Sequence, residues 1–122
     1  MNKRFVHRSY SRFLVQFSMM YLGQTVTGQG IVRDLSRMGC QALCNAPVIE
    51  GKTLSVRLAL PSCQEPLIIQ QACVKWVKGL ECGLAFDYLD QREKARLQPV
   101  LDELLTRRHY SGLTNAPPIA GP

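Results

Sequence analysis

What the chain has little of narrows the field first. Its 122 residues hold two histidines and one tryptophan. His7 and His109 lie near opposite ends, and no nucleophile, base and orienting group read as one set, so an enzyme is the least favoured class. The five cysteines, Cys40, Cys44, Cys63, Cys73 and Cys82, are an odd number. None forms a C-x-x-C pair and no histidine stands beside them, which leaves out a zinc or redox centre and predicts reduced thiols packed as small apolar residues. That usage favours the cytoplasm. No apolar run reaches the ~18 residues of a membrane-spanning helix. The stretch "FLVQFSMMYL" (Phe13 to Leu22) follows a basic start, but Gln16 and Ser18 interrupt it and no A-x-A-like site follows, so neither a signal peptide nor membrane insertion is expected.

Acidic residues are missing from the first twelve positions, where Lys3, Arg4, Arg8 and Arg12 supply four of the six excess positive charges. A cluster of this kind is either a solvated tail or an arm for an anionic partner. The remainder is ordinary: 46% hydrophobic and 20% charged residues fit one globular domain and argue against a disordered chain.

Alternation with a period of two dominates the middle of the chain. In "TLSVRLAL" (Thr53 to Leu60), Leu54, Val56, Leu58 and Leu60 share one face, the pattern of a half-buried strand. Phe13, Val15, Phe17, Met19 and Tyr21 form a similar face. Further strands are predicted at Thr25 to Asp34, Gly39 to Leu43, Leu67 to Val77 and Glu81 to Tyr88, the last two as a hairpin around Lys78 and Gly79. Six short strands at this spacing predict a small antiparallel barrel or sandwich. A helix follows, with Asp90 and Glu93 placed as a capping box and Leu97, Leu101, Leu104 and Leu105 at helical spacing. Pro99 predicts a kink or a restart near Gln98. The expected division is a flexible basic arm at 1–12, a barrel with its C-terminal helix packed at one mouth at 13–108, and a disordered Pro/Gly-rich tail at 109–122.

Two short motifs carry chemistry. "RSYSR" (Arg8 to Arg12) reads R-x-x-x-R, and "DLSRMG" (Asp34 to Gly39) reads D-x-S-x-x-G. With the "G-x-G-x-V-x-D-L-S" lead-in (Gly28 to Ser36), the strands "V-K-W" (Val74 to Trp76) and "C-G-L-A-F" (Cys82 to Phe86), and the closing helix, the chain from about Lys3 to Leu105 resembles the PilZ domain family. The resemblance implies a six-stranded antiparallel barrel that binds the bacterial second messenger cyclic di-GMP through the two motifs. It also implies an effector that signals to an unidentified downstream protein.

The ligand's chemistry accounts for the residue types. Arginine pairs bidentately with phosphate or with guanine O6 and N7, and its plane stacks on a base. Arg8 and Arg12 are the candidates. Arg4 and Arg8 have the same spacing, but Arg12 lies directly against the first strand. Ionised Asp34 accepts from guanine donors, and Ser36 donates and accepts. Gly39 either leaves room for the ligand or provides a positive φ. Asp34 and Ser36 read otherwise as a turn that caps its own backbone. Auxiliary candidates are Arg4, His7, Tyr10, Arg33, Arg37 and Trp76; the tryptophan reads first as core, with stacking as the alternative. His7 stands where many relatives have arginine, so one or two ligand molecules per site both remain open. The expected partners are cyclic di-GMP and a protein, with no nucleic acid and no cofactor. Two rivals are a PilZ-like adaptor without ligand binding and a small basic barrel for single-stranded nucleic acid, which needs exposed aromatic platforms.

Overall fold

The computed structural model describes residues 11–61 and 63–114, with side chains through Arg108. The expected arm at positions 1–10, including Arg4, His7, Arg8 and Tyr10, lies outside the described residues, as do 115–122. Six strands, β1 (Phe13–Leu22), β2 (Thr27–Leu35), β3 (Gly39–Cys44), β4 (Thr53–Leu58), β5 (Leu67–Lys78) and β6 (Glu81–Tyr88), precede one helix, α1 (Gln91–Thr114). The strands close into a barrel in the order β1-β2-β3-β6-β5-β4, and every neighbouring pair is antiparallel. Closure leaves no sheet edge unpaired, the hazard for a six-stranded open sheet of this length.

Alternate side chains fill the interior, among them Met19 and Tyr21 of β1, Val56 and Leu58 of β4, Ile69 and Val74 of β5, and Leu84 of β6. The alternation breaks at a few irregularities. In β2 the register shifts between Val32 and Asp34, so Val32 and Leu35 are buried while Arg33 and Asp34 both turn away from the core. In β5 it shifts at Gln71/Ala72 and again at Val74/Trp76. Lys75 and Trp76 therefore both point outward, and Trp76 is 37% exposed. The core reading of this tryptophan is overturned: strict alternation after Val74 turns position 76 inward, and the bulge adds the extra residue that reverses it.

Helix α1 covers one mouth. Leu97 and Leu101 are buried and Leu104 packs against the core, whereas Leu105, expected in the same stripe, is 49% exposed. The capping box forms only in half. The Asp90 Oδ1 accepts from the Arg92 amide at 3.3 Å. Glu93 instead turns to the barrel, where its Oε1 accepts from the Ile68 amide at 3.1 Å and from Arg96 Nη1 at 2.9 Å. A strand amide with no other acceptor at hand is the stronger demand on a buried carboxylate. Arg96 extends the anchor by donating to the carbonyls of Pro66 and Glu65. Held this way, the helix runs on through Pro99 as one element instead of breaking there, and its backbone continues to Thr114, six residues past the boundary expected at 108.

Candidate functional site

Arg12 of the first motif meets Asp34 of the second on the outer side of the barrel. Arg12, one residue before β1, donates from Nε to Asp34 Oδ1 at 3.2 Å, and its Nη2 lies 3.2 Å from Oδ2. This is a bidentate pair between residues 22 apart in sequence. The β2 irregularity makes it possible by aiming Asp34 outward, level with Leu14 of β1. At 32% and 19% side-chain exposure the ions remain in contact with water, so the pair is worth about 1 kcal/mol or less and exchanges readily for another partner.

Ser36 follows at the turn into β3 and is buried. Its Oγ accepts from the amides of Met38 (3.1 Å) and Gly39 (3.2 Å) and donates to the Gly39 carbonyl (3.3 Å). A hydroxyl has one hydrogen and two lone pairs, so this one is fully used within its own loop. Of the two readings open for Ser36, backbone capping is the one seen. For Asp34 it is not, since its oxygens face Arg12. Gly39 is not among the positive-φ glycines, which are Gly51 and Gly79; the positive-φ reading is corrected. An added Cβ at Gly39 would stand 2.2 Å from the Leu84 carbonyl oxygen. The glycine is there so that β3 and β6 can approach.

Trp76 lies across Gly83 of β6, where a Cβ would come within 2.1 Å of the indole Nε1. The indole borders two concavities on the same side of the barrel. One, of about 610 Å³, is lined by Gln16, Ile31, Arg33, Asp34, Leu43 and Glu81 among others. A smaller one, of about 200 Å³, includes Arg12, Ser36, Gly39 and Lys75. Gln41 and Trp76 line both, so the two concavities adjoin, and together they make the depression around which the arginine, the aspartate and the indole lie.

Comparison with known proteins identifies the family and the fold. The family model for the PilZ domain matches residues 4–103. The chain belongs to the PilZ domain family. Curated protein sequences include no match to it. Among solved structures, the inhibitor of motility MotI/DgrA of Bacillus subtilis superposes with a TM-score of 0.67 at 14% identity, over 85% of this chain and 52% of that one, so the chain spans about half that relative's length. The PilZ domain of CeSA from a cellulose-synthesizing bacterium gives 0.62 at 14% identity, over 78% and 98% of the two chains. The PilZ domain of YcgR from Escherichia coli, solved with c-di-GMP, gives 0.62 at 16% identity, over 86% and 96%. At these identities the likeness shows the fold.

Within this PilZ barrel the candidates separate. Arg12, Asp34, Ser36, Gly39, Arg33 and Trp76 come together around the depression. Arg37 does not: it lines grooves beside α1 with Lys94 and Leu97, and with Phe13 and Leu101. Gln41 and Lys75 were missed by sequence reasoning. The β3–β6 and β5–β6 registers, which set Gln41 and Trp76 opposite the same Gly83, place them. Below the loop, burial, then the neighbouring Cys44 and Asp34, pushes the Cys40 thiol up to about 12, as for a thiol packed in place of an apolar residue. Among the described residues no cluster of His, Cys, Asp and Glu fits a metal ion, and no helix is long and apolar enough to cross a membrane.

Proposed function

We propose that this PilZ domain binds cyclic di-GMP in the depression between Arg12, Asp34 and Trp76 and acts as a small effector. The observation that carries the reading is the bidentate Arg12–Asp34 pair, one residue from each motif, beside an exposed indole. An arginine fork that grips a carboxylate grips a phosphate or a guanine O6/N7 edge with the same geometry. Released Asp34 accepts from guanine N1 and N2 donors. Trp76 supplies a flat platform for a base, and Arg33 and Lys75 add positive charge at its rim. Ser36 and Gly39 act by holding the loop that presents Asp34. Arg8, with Arg4, His7 and Tyr10 as auxiliaries, comes from the arm, which closes over the ligand and so changes the surface offered to a downstream protein.

Calorimetric titration with cyclic di-GMP tests this on the wild type and on Arg8→Ala, Arg12→Ala and Asp34→Ala. Binding weakened at least tenfold by each change supports the site. Tight binding indifferent to all three places the ligand elsewhere, and a wild type that does not bind leaves the adaptor without ligand. Hydrogen exchange over residues 3–12 tests arm closure, which predicts slower exchange in the complex.

A further inference from the structure

Helix α1 passes beside the root of the arm at Arg108. Its Arg108 donates from Nη2 to the carbonyl oxygen of Arg12, a residue 96 positions away in sequence. The same guanidinium lies over the Phe13 ring, 4.3 Å from its centroid. Phe13 is itself core, and Leu101 and Leu105 of α1 line the groove along Ser11 and Phe13. Both Arg108 contacts thus converge on the Arg12–Phe13 step, from which the Arg12 side chain reaches Asp34. The neighbouring arginine on the helix, Arg107, makes an exposed pair with Glu103 at 2.8 Å.

We propose that Arg108 is a positioning residue for the ligand site: it fastens the backbone of Arg12 so that the guanidinium is presented at Asp34, ready to exchange that carboxylate for a ligand phosphate or base edge. The chemistry suits arginine, whose planar fork donates to a carbonyl while its face covers a ring. Holding the residue that must bind lowers the ordering cost of binding, because the backbone from which the fork projects is fixed beforehand. The proposal rests on the cyclic di-GMP reading, and it extends the site to the far end of the helix.

Two measurements on the full chain test it, with Arg107→Ala as the control. In the ligand-free protein, NMR observes the Arg12 Nε–H, which is slowed in exchange by its bond to Asp34 and assigned by its loss in Arg12→Lys. Arg108→Ala should broaden or remove this resonance and Arg107→Ala should leave it. In calorimetry, Arg108→Ala should weaken cyclic di-GMP binding roughly fivefold, with Arg107→Ala unchanged. An Nε–H signal in Arg108→Ala identical to the wild type overturns the proposal, as does undiminished affinity in a wild type that binds. A wild type that fails to bind overturns the ligand reading instead, and the Nε–H signal tells that failure apart from failure of the Arg108 contact.

Discussion

Replacing Gly39 with alanine separates a structural from a ligand-facing role for the motif glycine. The new Cβ would stand 2.2 Å from the Leu84 carbonyl oxygen and 3.3 Å from the Ala85 Cα. Both are backbone atoms of β6, so no side chain can swing aside. Relief requires β3 and β6 to part by about 1 Å at the point where Gly39 pairs with Ala85, given an ordinary contact of about 3.4 Å. That strains the 2.8 Å bond from the Phe86 amide to the Met38 carbonyl. Overpacking of this kind costs about 1–3 kcal/mol, and one weakened backbone hydrogen bond adds about 1 kcal/mol. The sum, roughly 2–4 kcal/mol, corresponds to a melting temperature lower by roughly 8–16 °C for a domain of this size. Thermal unfolding followed by circular dichroism reads it directly. If Gly39→Ala melts within about 2 °C of the wild type and loses only ligand affinity, the contact with β6 is not what requires glycine, and the ligand's approach is.

Three other perturbations test other parts of the structure. Ser36→Ala leaves the Met38 and Gly39 amides without their acceptor and should cost about 1–3 kcal/mol in urea unfolding; a cost near zero would mean that water replaces the hydroxyl. Glu93→Ala strips the acceptor from the Ile68 amide and the partner from Arg96 and should destabilise by about 2–4 kcal/mol, with Glu93→Gln costing less because it still accepts; equal losses would refute the hydrogen-bond account. For Cys40, a folded value of about 12 against 9.0 means that the fold favours the neutral thiol. Its contribution is complete below about pH 9 and is lost as the pH rises from there toward about 12. Melting temperature should therefore fall more steeply above about pH 9 in the wild type than in Cys40→Ala, and parallel slopes would remove the thiol from the account.

The barrel was legible because its strands obey a period of two: Leu54, Val56 and Leu58 read as one face and are all buried. The motifs were legible because Arg12 and Asp34 are the residue types that recognise anions and guanine donors, and the fold brings that pair together. The family resemblance read from them matches the family the chain belongs to. What eluded sequence reasoning depends on register or on distant contacts. Glu93 has the spacing of a capping box, yet the Ile68 amide, 25 residues back, claims it. Pro99 has the local chemistry of a helix breaker, yet the helix is fastened on both sides of it, by Arg96 to the β4–β5 loop and by Leu101 in the core. Arg108 carries no local mark at all. Its proposed role exists only because the helix at Arg108 lies against the start of β1.

The outward turn of Trp76 has a cause that bears on function. Three of the register shifts, at Leu14/Phe17 in β1, Val32/Asp34 in β2 and Val74/Trp76 in β5, lie side by side on the barrel, while those at Leu54/Val56 and Gln71/Ala72 lie away from them. Residues at all three, Val15 and Gln16, Arg33 and Asp34, and Trp76, line the same concavity of about 610 Å³. A regular strand sends every second side chain into the core, so an unbroken ladder here would have buried some of the charged and aromatic groups that now face outward. The shifts in β2 and β5 free Asp34 and Trp76 from that rule and turn them toward the depression. At Val32/Asp34 and Val74/Trp76 the barrel thus surrenders ladder regularity where a polar, aromatic-lined surface stands. Deviation from period two beside Arg, Asp or Trp is thus a signal by which the proposed site could be sought in a sequence.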